Sequence, residues 1–242
     1  MISPGDISSQ YLKLADIGGA TGTYSFKLAD HGHQVHLRDL SPRLIEIATA
    51  KQARRSTSRL ATIAVGNAMD PLLFPSSEAG SFDAVLLMGP LYHLIEEEER
   101  VAAIRNGLSL LKEDGVLFAA FISQNAHLRD IAVRAPERLI QQREFYETYL
   151  RIGKYVRRGE KSVESYHAKY DELRPLIERA GGETVEVVGT EGILGGGLDN
   201  ALIGASEELL NAWVLIMTDL GRKVENLGNA DHWLMVVKKP SH

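Results

Sequence analysis

The sequence predicts an α/β protein built on a doubly wound, seven-stranded, mostly parallel sheet with one helical insertion. Three observations predict it. Short apolar runs alternate with amphipathic helical stretches along most of the chain, a glycine-rich turn follows the first apolar run, and the alternation breaks once, between residues 125 and 166.

Tyr11 to Ile17 reads as strand one and Thr21 to His31 as the helix after it, with Gly32 as its stop. Between them lies Gly18-Gly19-Ala20-Thr21-Gly22, where a strand must turn sharply into a helix. Glycine lets backbone N–H groups and a helix N-terminus approach a ligand closely, so the turn points to a small, partly anionic cofactor. A glycine-rich turn can equally be a plain βα connection.

Gln34 to Asp39 is strand two, ending in an acid beside the glycine turn, where a carboxylate can accept both hydroxyls of a ribose. The alternative is a loop aspartate or a cap, but Ser41 is the better N-cap for the helix Pro42 to Arg55, with Pro42 at its first position. Leu60 to Val65 is strand three. Ser81 to Met88 is strand four, the clearest buried one, followed by Gly89-Pro90-Leu91-Tyr92-His93-Leu94. Glu96 to Leu111 is a helix whose acidic start, Glu96 to Glu99, suits the positive end of the helix dipole. Lys112 to Gly115 reads as a turn and Val116 to Ser123 as strand five.

The break follows. Ile131 to Tyr155 reads as helical and is rich in Arg and Tyr, an insertion that caps a site or merely covers sheet edges. Asp171 to Ala180 is a helix stopped by Gly181-Gly182, and Glu183 to Val188 is strand six. Gly192 to Gly197 reads as a flexible loop. Ala205 to Gly221 is an amphipathic helix with Leu209, Leu210, Trp213 and Met217 facing inward, and His232 to Lys238 is strand seven, an antiparallel partner of strand six. The expected division is 1–124 for the cofactor-binding core, 125–166 for the cap and 167–242 for the rest of the core.

Composition narrows the function. A formal charge of −5 argues against a broad phosphate-neutralising surface, so no nucleic-acid partner is expected. The absence of cysteine removes thiolate catalysis, disulfides and cysteine metal sites, and no metal site is predicted. The start, Met1-Ile2-Ser3-Pro4-Gly5-Asp6, has no basic and apolar leader pattern, and no run reaches membrane-spanning length. A cytoplasmic protein without membrane contact is the expectation.

Spacing separates two cofactor classes. The dinucleotide pattern G-x-G-x-x-G anchored on Gly18 needs glycine at 20 and 23, where Ala20 and Thr23 stand. The spacing present is acid-x-Gly-x-small-x-Gly, at Asp16, Gly18, Ala20 and Gly22. It resembles the first motif of the class I S-adenosylmethionine-dependent methyltransferases, which mostly carry glycine where this chain has Ala20. Gly66-Asn67-Ala68-Met69-Asp70 after strand three, Phe82-Asp83-Ala84-Val85 with Gly89-Pro90-Leu91-Tyr92-His93-Leu94, and the entry to strand five also look like the bacterial small-molecule branch. The Asn-Pro-Pro-Tyr signature of amino-methylating nucleic-acid enzymes is missing.

The resemblance covers residues 11 to about 123. It implies a Rossmann-like methyltransferase fold, S-adenosylmethionine as cofactor and a small-molecule acceptor with an O or N nucleophile. It implies cofactor contacts from Asp16, Gly18, Gly19, Ala20 and Gly22 in the first turn, Asp39 and Leu40 at the ribose, Asn67, Ala68 and Met69 at the adenine, and Met88 and Gly89 after strand four. His93 and His127 are the candidate bases, since an imidazole can take up a proton near neutrality. Only about ten residues precede strand one, where the family usually has a helix, so the cover over the site is expected from the cap, from a second subunit of a homodimer, or from a start that lies upstream. A nicotinamide-dependent oxidoreductase and a non-catalytic cofactor-binding module are the alternatives.

Overall fold

The computed structural model describes residues 11–157 and 163–240. The first half alternates as expected: β1 (Lys13–Ile17), α1 (Thr23–Asp30), β2 (Gln34–Asp39), α2 (Pro42–Ala53), β3 (Thr62–Val65), β4 (Phe82–Leu87), α3 (Glu97–Leu110) and β5 (Leu111–Ser123). The insertion comprises α4 (Gln124–Arg134), α5 (Arg138–Gln141), α6 (Arg143–Ile152) and the strands β6 (Lys154–Arg157) and β7 (Val163–Ala168). α7 (Tyr170–Arg179), β8 (Glu183–Gly189), α8 (Glu207–Leu220), α9 (Val224–Leu227) and β9 (His232–Lys238) complete the described chain.

The parallel part of the sheet runs β3-β2-β1-β4-β5, so the chain leaves β1 toward one edge and returns on its other side at β4. Side chains alternate across this sheet: Leu14 packs with Phe26, Ala29, Ile45 and Ala48 of α1 and α2, while Ala15 and Ile17 pack with Val101 and Ile104 of α3 and Leu173 and Ile177 of α7. β9 lies antiparallel between β5 and β8, the hairpin partnership expected for strands six and seven.

Local chemistry sets the helix starts. The Ser41 hydroxyl accepts from Leu44 N–H at 3.4 Å, with Pro42 at the first position of α2. At α3 the Glu99 carboxylate accepts from Glu96 N–H at 3.2 Å, and Glu97 and Glu98 pair with Arg179 of α7.

Several expectations need correction. The turn at Lys112 to Gly115 is absorbed into β5 as a bulge: Phe82 pairs with Leu111 but Ala84 pairs with Val116, and Lys112 meets Asp83 at 2.6 Å. The insertion is not all helical. Tyr155 lies on β6, which pairs antiparallel with β7, and β7 runs parallel to the last residues of β5. Ile122 has His232 on one side and His167 on the other, so β7 occupies the edge of β5 that β4 vacates after Leu87 and packs on the 3-10 turn Pro90–Tyr92. Alternating Tyr, Val, Ser and His residues fit a pleated strand as well as a helix, and the free edge decided.

The glycine stretch at 192–197 is not an open loop but 3-10 turns, Gly192–Leu194 and Leu198–Leu202, tied down by Gly196 N–H donating to Asp231 at 2.7 Å. In α8 only Met217 is buried, while Leu209 and Leu210 are 46% and 40% exposed. The helical period holds there, but no element of the described chain packs over the N-terminal half of that face.

Candidate cofactor site

The end of β1 sits at the point where the strand order reverses, the place where open α/β sheets bind ligands. The turn after it is tied to β2: the N–H groups of Gly18 and Gly19 both donate to Arg38 O, at 2.7 and 3.3 Å. Gly18, Ala20 and Gly22 all have positive φ, +73°, +50° and +79°. The position that the family fills with glycine is thus left-handed here too, and Ala20 holds it with a Cβ.

Close approach fixes Gly18 a second way, and Gly89 with it. A Cβ on Gly18 would run into the Pro90 ring, and one on Gly89 would lie 2.6 Å from Gly18 O. The turns after β1 and β4 therefore touch backbone to backbone. Asp16 lies beneath this turn, 2% exposed, with Ser25 Oγ donating to it at 2.5 Å. Burial, with a smaller contribution from the nearby Asp39 charge, pushes its carboxyl up to about 6. Asp39 closes the other side, accepting from Ala20 N–H and from Ser41 N–H, each at 2.8 Å.

These elements enclose a cavity of about 300 Å³ lined by Gly18, Ala20, Asp39 and Leu40 on one side and by Asn67, Ala68, Gly89, Tyr92 and His93 on the other. Leu44, Gly66, Pro90 and Leu94 complete the lining. The Asn67 carbonyl accepts from Met69 N–H at 3.0 Å, which leaves the donor end of its amide for a ligand. Asn106 donates to Ala68 O at 2.9 Å. Tyr92 and His93 hold their rings 4.8 Å apart, and burial raises the Tyr92 phenol.

Of the residues expected in the site, Gly18, Ala20, Asp39, Leu40, Asn67, Ala68, Gly89 and His93 line this cavity. Asp16, Gly19, Gly22, Met69 and Met88 do not; the first three build the turn beneath it. His127 lies elsewhere, buried in the cap, with Nε2 3.3 Å from Tyr146 Oη and its ring stacked on that tyrosine. Beside it Tyr149 Oη donates to Gln124 O at 3.2 Å and lies 2.8 Å from His167 Nδ1, while Ser165 Oγ is 3.0 Å from His167 Nε2. Burial lowers His127 and takes His167 down to about 4. Arg100 has no signature in the sequence either: it is 4% exposed, stacks on Tyr166 at 3.5 Å and donates to Leu94 O and Ile95 O, holding the segment after His93. Long-range partners such as these follow no fixed spacing.

Residues 14–115 match the family model described as a methyltransferase domain, and this span contains the whole cavity lining. The matched segment, residues 14–115 of 242, is similar to a methyltransferase domain. A search of curated proteins finds no match.

Solved structures share the fold of this chain along nearly its whole length. An S-adenosylmethionine-dependent methyltransferase from Methanosarcina mazei is 18% identical with a TM-score of 0.64, over 97% of this chain and 95% of that one. The CcbJ methyltransferase from Streptomyces caelestis is 13% identical at 0.62, over 96% and 85%. The 1,6-didemethyltoxoflavin-N1-methyltransferase of Burkholderia thailandensis, solved with 1,6-didemethyltoxoflavin and S-adenosylhomocysteine, is 14% identical at 0.57, over 96% and 72%.

The residues present fit the cofactor. Gly18 and Gly89 let the turns after β1 and β4 meet beside the cavity, and the Asp39 carboxylate and the donor end of the Asn67 amide line it, a set of groups that suits a nucleoside. Among the described residues no three His, Asp or Glu side chains gather as a metal site, and no helix is long and apolar enough to cross a membrane.

Proposed function

We propose that this chain is a class I S-adenosylmethionine-dependent methyltransferase, rather than a nicotinamide-dependent oxidoreductase or a non-catalytic cofactor-binding module, and that it acts on a small-molecule O or N nucleophile that reaches the cofactor from the side of Tyr92 and His93. The observation that carries this reading is the division of one cavity into two walls. The β1 turn and Asp39 make one part of its lining polar and suited to a nucleoside, and Pro90, Tyr92, His93 and Leu94 make the other aromatic and apolar, with β7 packed on the Pro90–Tyr92 turn. The toxoflavin methyltransferase, solved with bound 1,6-didemethyltoxoflavin, supports the acceptor class.

S-adenosylmethionine supplies an electrophilic methyl group on a sulfonium. With the cofactor bound, Asp39 would accept hydrogen bonds from the ribose hydroxyls, the Asn67 amide and the backbone at Ala68 would address the adenine, and the turn from Gly18 to Gly22 would receive the methionine part. Fixing donor and acceptor in line removes much of the orientational entropy from the barrier. His93 takes the acceptor's proton; it lines the cavity, whereas His127 does not. The β6–β7 hairpin and α4 to α6, within the expected cap 125–166, exclude water on the acceptor side.

Titration calorimetry with S-adenosylmethionine, S-adenosylhomocysteine and NAD, followed by labelled methyl transfer into a metabolite extract, tests the reading. A small labelled product supports it; methylation only of RNA or protein in a whole lysate rejects it. Replacing His93 by Gln should lower kcat by roughly 100-fold or more, the scale of general-base loss, with S-adenosylhomocysteine affinity retained.

A further inference from the structure

α8 carries two adjacent apolar stripes at helical spacing, Leu209, Trp213 and Ile216 beside Leu210, Val214 and Met217. A stripe this wide belongs against another surface, yet only Met217 is buried, packed over Gly192. Leu209 and Leu210 are nearly half exposed, Val214 is 59% exposed, Ile216 49%, and Ile203, just before the helix cap, 81%. We propose that α8 is a self-association surface on which a second copy of this chain packs, helix antiparallel to helix, about a two-fold axis.

Two features select that occupant. The first is area. The exposed parts of these side chains amount to roughly 500 Å² per copy, so a two-fold pair buries about 1,000 Å², the threshold for a specific interface before any polar rim is added. The second is charge. α8 begins with Glu207 and Glu208 and is followed by Arg222 and Lys223. In an antiparallel pair centred near Val214, the acids of one copy come opposite the bases of the other, and the helix dipoles oppose. Arg222 and Lys223 are about half exposed in their ion pairs with Glu186 and Asp219, so each keeps solvent-facing N–H groups that a second copy's acids can meet.

A lipid surface fits less well. Among its own residues α8 has Glu207, Glu208 and Asp219 but no Lys or Arg, the opposite of a helix drawn to an anionic bilayer, and the chain carries −5 overall.

Sedimentation velocity of the full-length chain across the micromolar range should give a species of twice 26.6 kDa. Val214→Glu should weaken the pair by at least tenfold while circular dichroism stays unchanged, because Val214 is exposed in the single copy. The natural absence of cysteine permits a second measurement. A Val214→Cys chain should cross-link to itself with a short bis-maleimide, whereas Ile140→Cys, 84% exposed on α5, should not. A monomer at all concentrations, a dimer indifferent to Val214→Glu, or equal cross-linking at both sites overturns the proposal. So does a monomer that floats with phosphatidylcholine vesicles through α8, which would make the surface a lipid contact.

Discussion

Asp39 accepts a 2.8 Å hydrogen bond from the backbone N–H of Ala20, and Ala20 stands in a left-handed conformation at φ +50°. The carboxylate at the end of β2 thus holds the strained residue of the β1 turn in place. One side chain shapes the cofactor cradle and faces the cavity it forms.

Replacing Asp39 by Ala removes the proposed ribose acceptor and orphans the N–H groups of Ala20 and Ser41. Calorimetry should show S-adenosylhomocysteine affinity lowered by roughly 10- to 100-fold, with stability down by about 1–3 kcal/mol in urea. Affinity equal to that of the unaltered chain would remove Asp39 from the cofactor site.

Ala20→Gly relieves a left-handed alanine, which costs about 1–2 kcal/mol, and loses about 0.4–1 kcal/mol to the freer unfolded chain. The net expectation is a gain of roughly 0.5–1 kcal/mol, a rise in Tm of about 1–4 °C for a domain of this size. Ala20→Val, with a β-branched side chain at the same φ, should lose stability. A drop on Ala20→Gly would mean that the turn is not left-handed at residue 20.

At Gly89 an added methyl would lie 2.6 Å from Gly18 O, so Gly89→Ala must part the two turns. Cofactor affinity should fall by at least tenfold while the far half of the sheet, β8 and β9, keeps its hydrogen-exchange protection. Unchanged affinity would show that the close approach is dispensable.

Asp16 gives a pH signature. Its carboxyl is held at about 6 in the folded chain against 3.8 unfolded, so between these values the folded state binds more protons. Stability from this group is greatest below pH 3.8, falls as pH rises through the window and levels off above about 6. Other groups titrate in the same range, so the test is the difference in urea midpoints between the parent and the Asp16→Asn variant. That difference should shift progressively in favour of the variant from about pH 4 to about pH 6, by a few kcal/mol in all. A flat difference would show that the carboxyl is not desolvated.

The alternation, the β1 turn and the acid of β2 were legible because each is local: a helix period, a glycine spacing and a strand end fall within about ten residues. The same locality carried the site as far as Asp39, Asn67 and Gly89. Arg100 and the Tyr149–His167 pair escaped because their partners lie far along the chain, at Tyr166 and across the insertion.

The sequence by itself determined the doubly wound core, its strand ends and the glycine turn, since these follow from periodicity and from backbone conformations that few residues tolerate. Tertiary structure decided that β7 takes the edge of β5 beyond β4, that His93 and not His127 meets the cavity, and that most of the apolar face of α8 stays uncovered. Each of these depends on which surfaces meet after the core has closed, and the energy of packing one surface on another is a property of the pair, not of either stretch of chain.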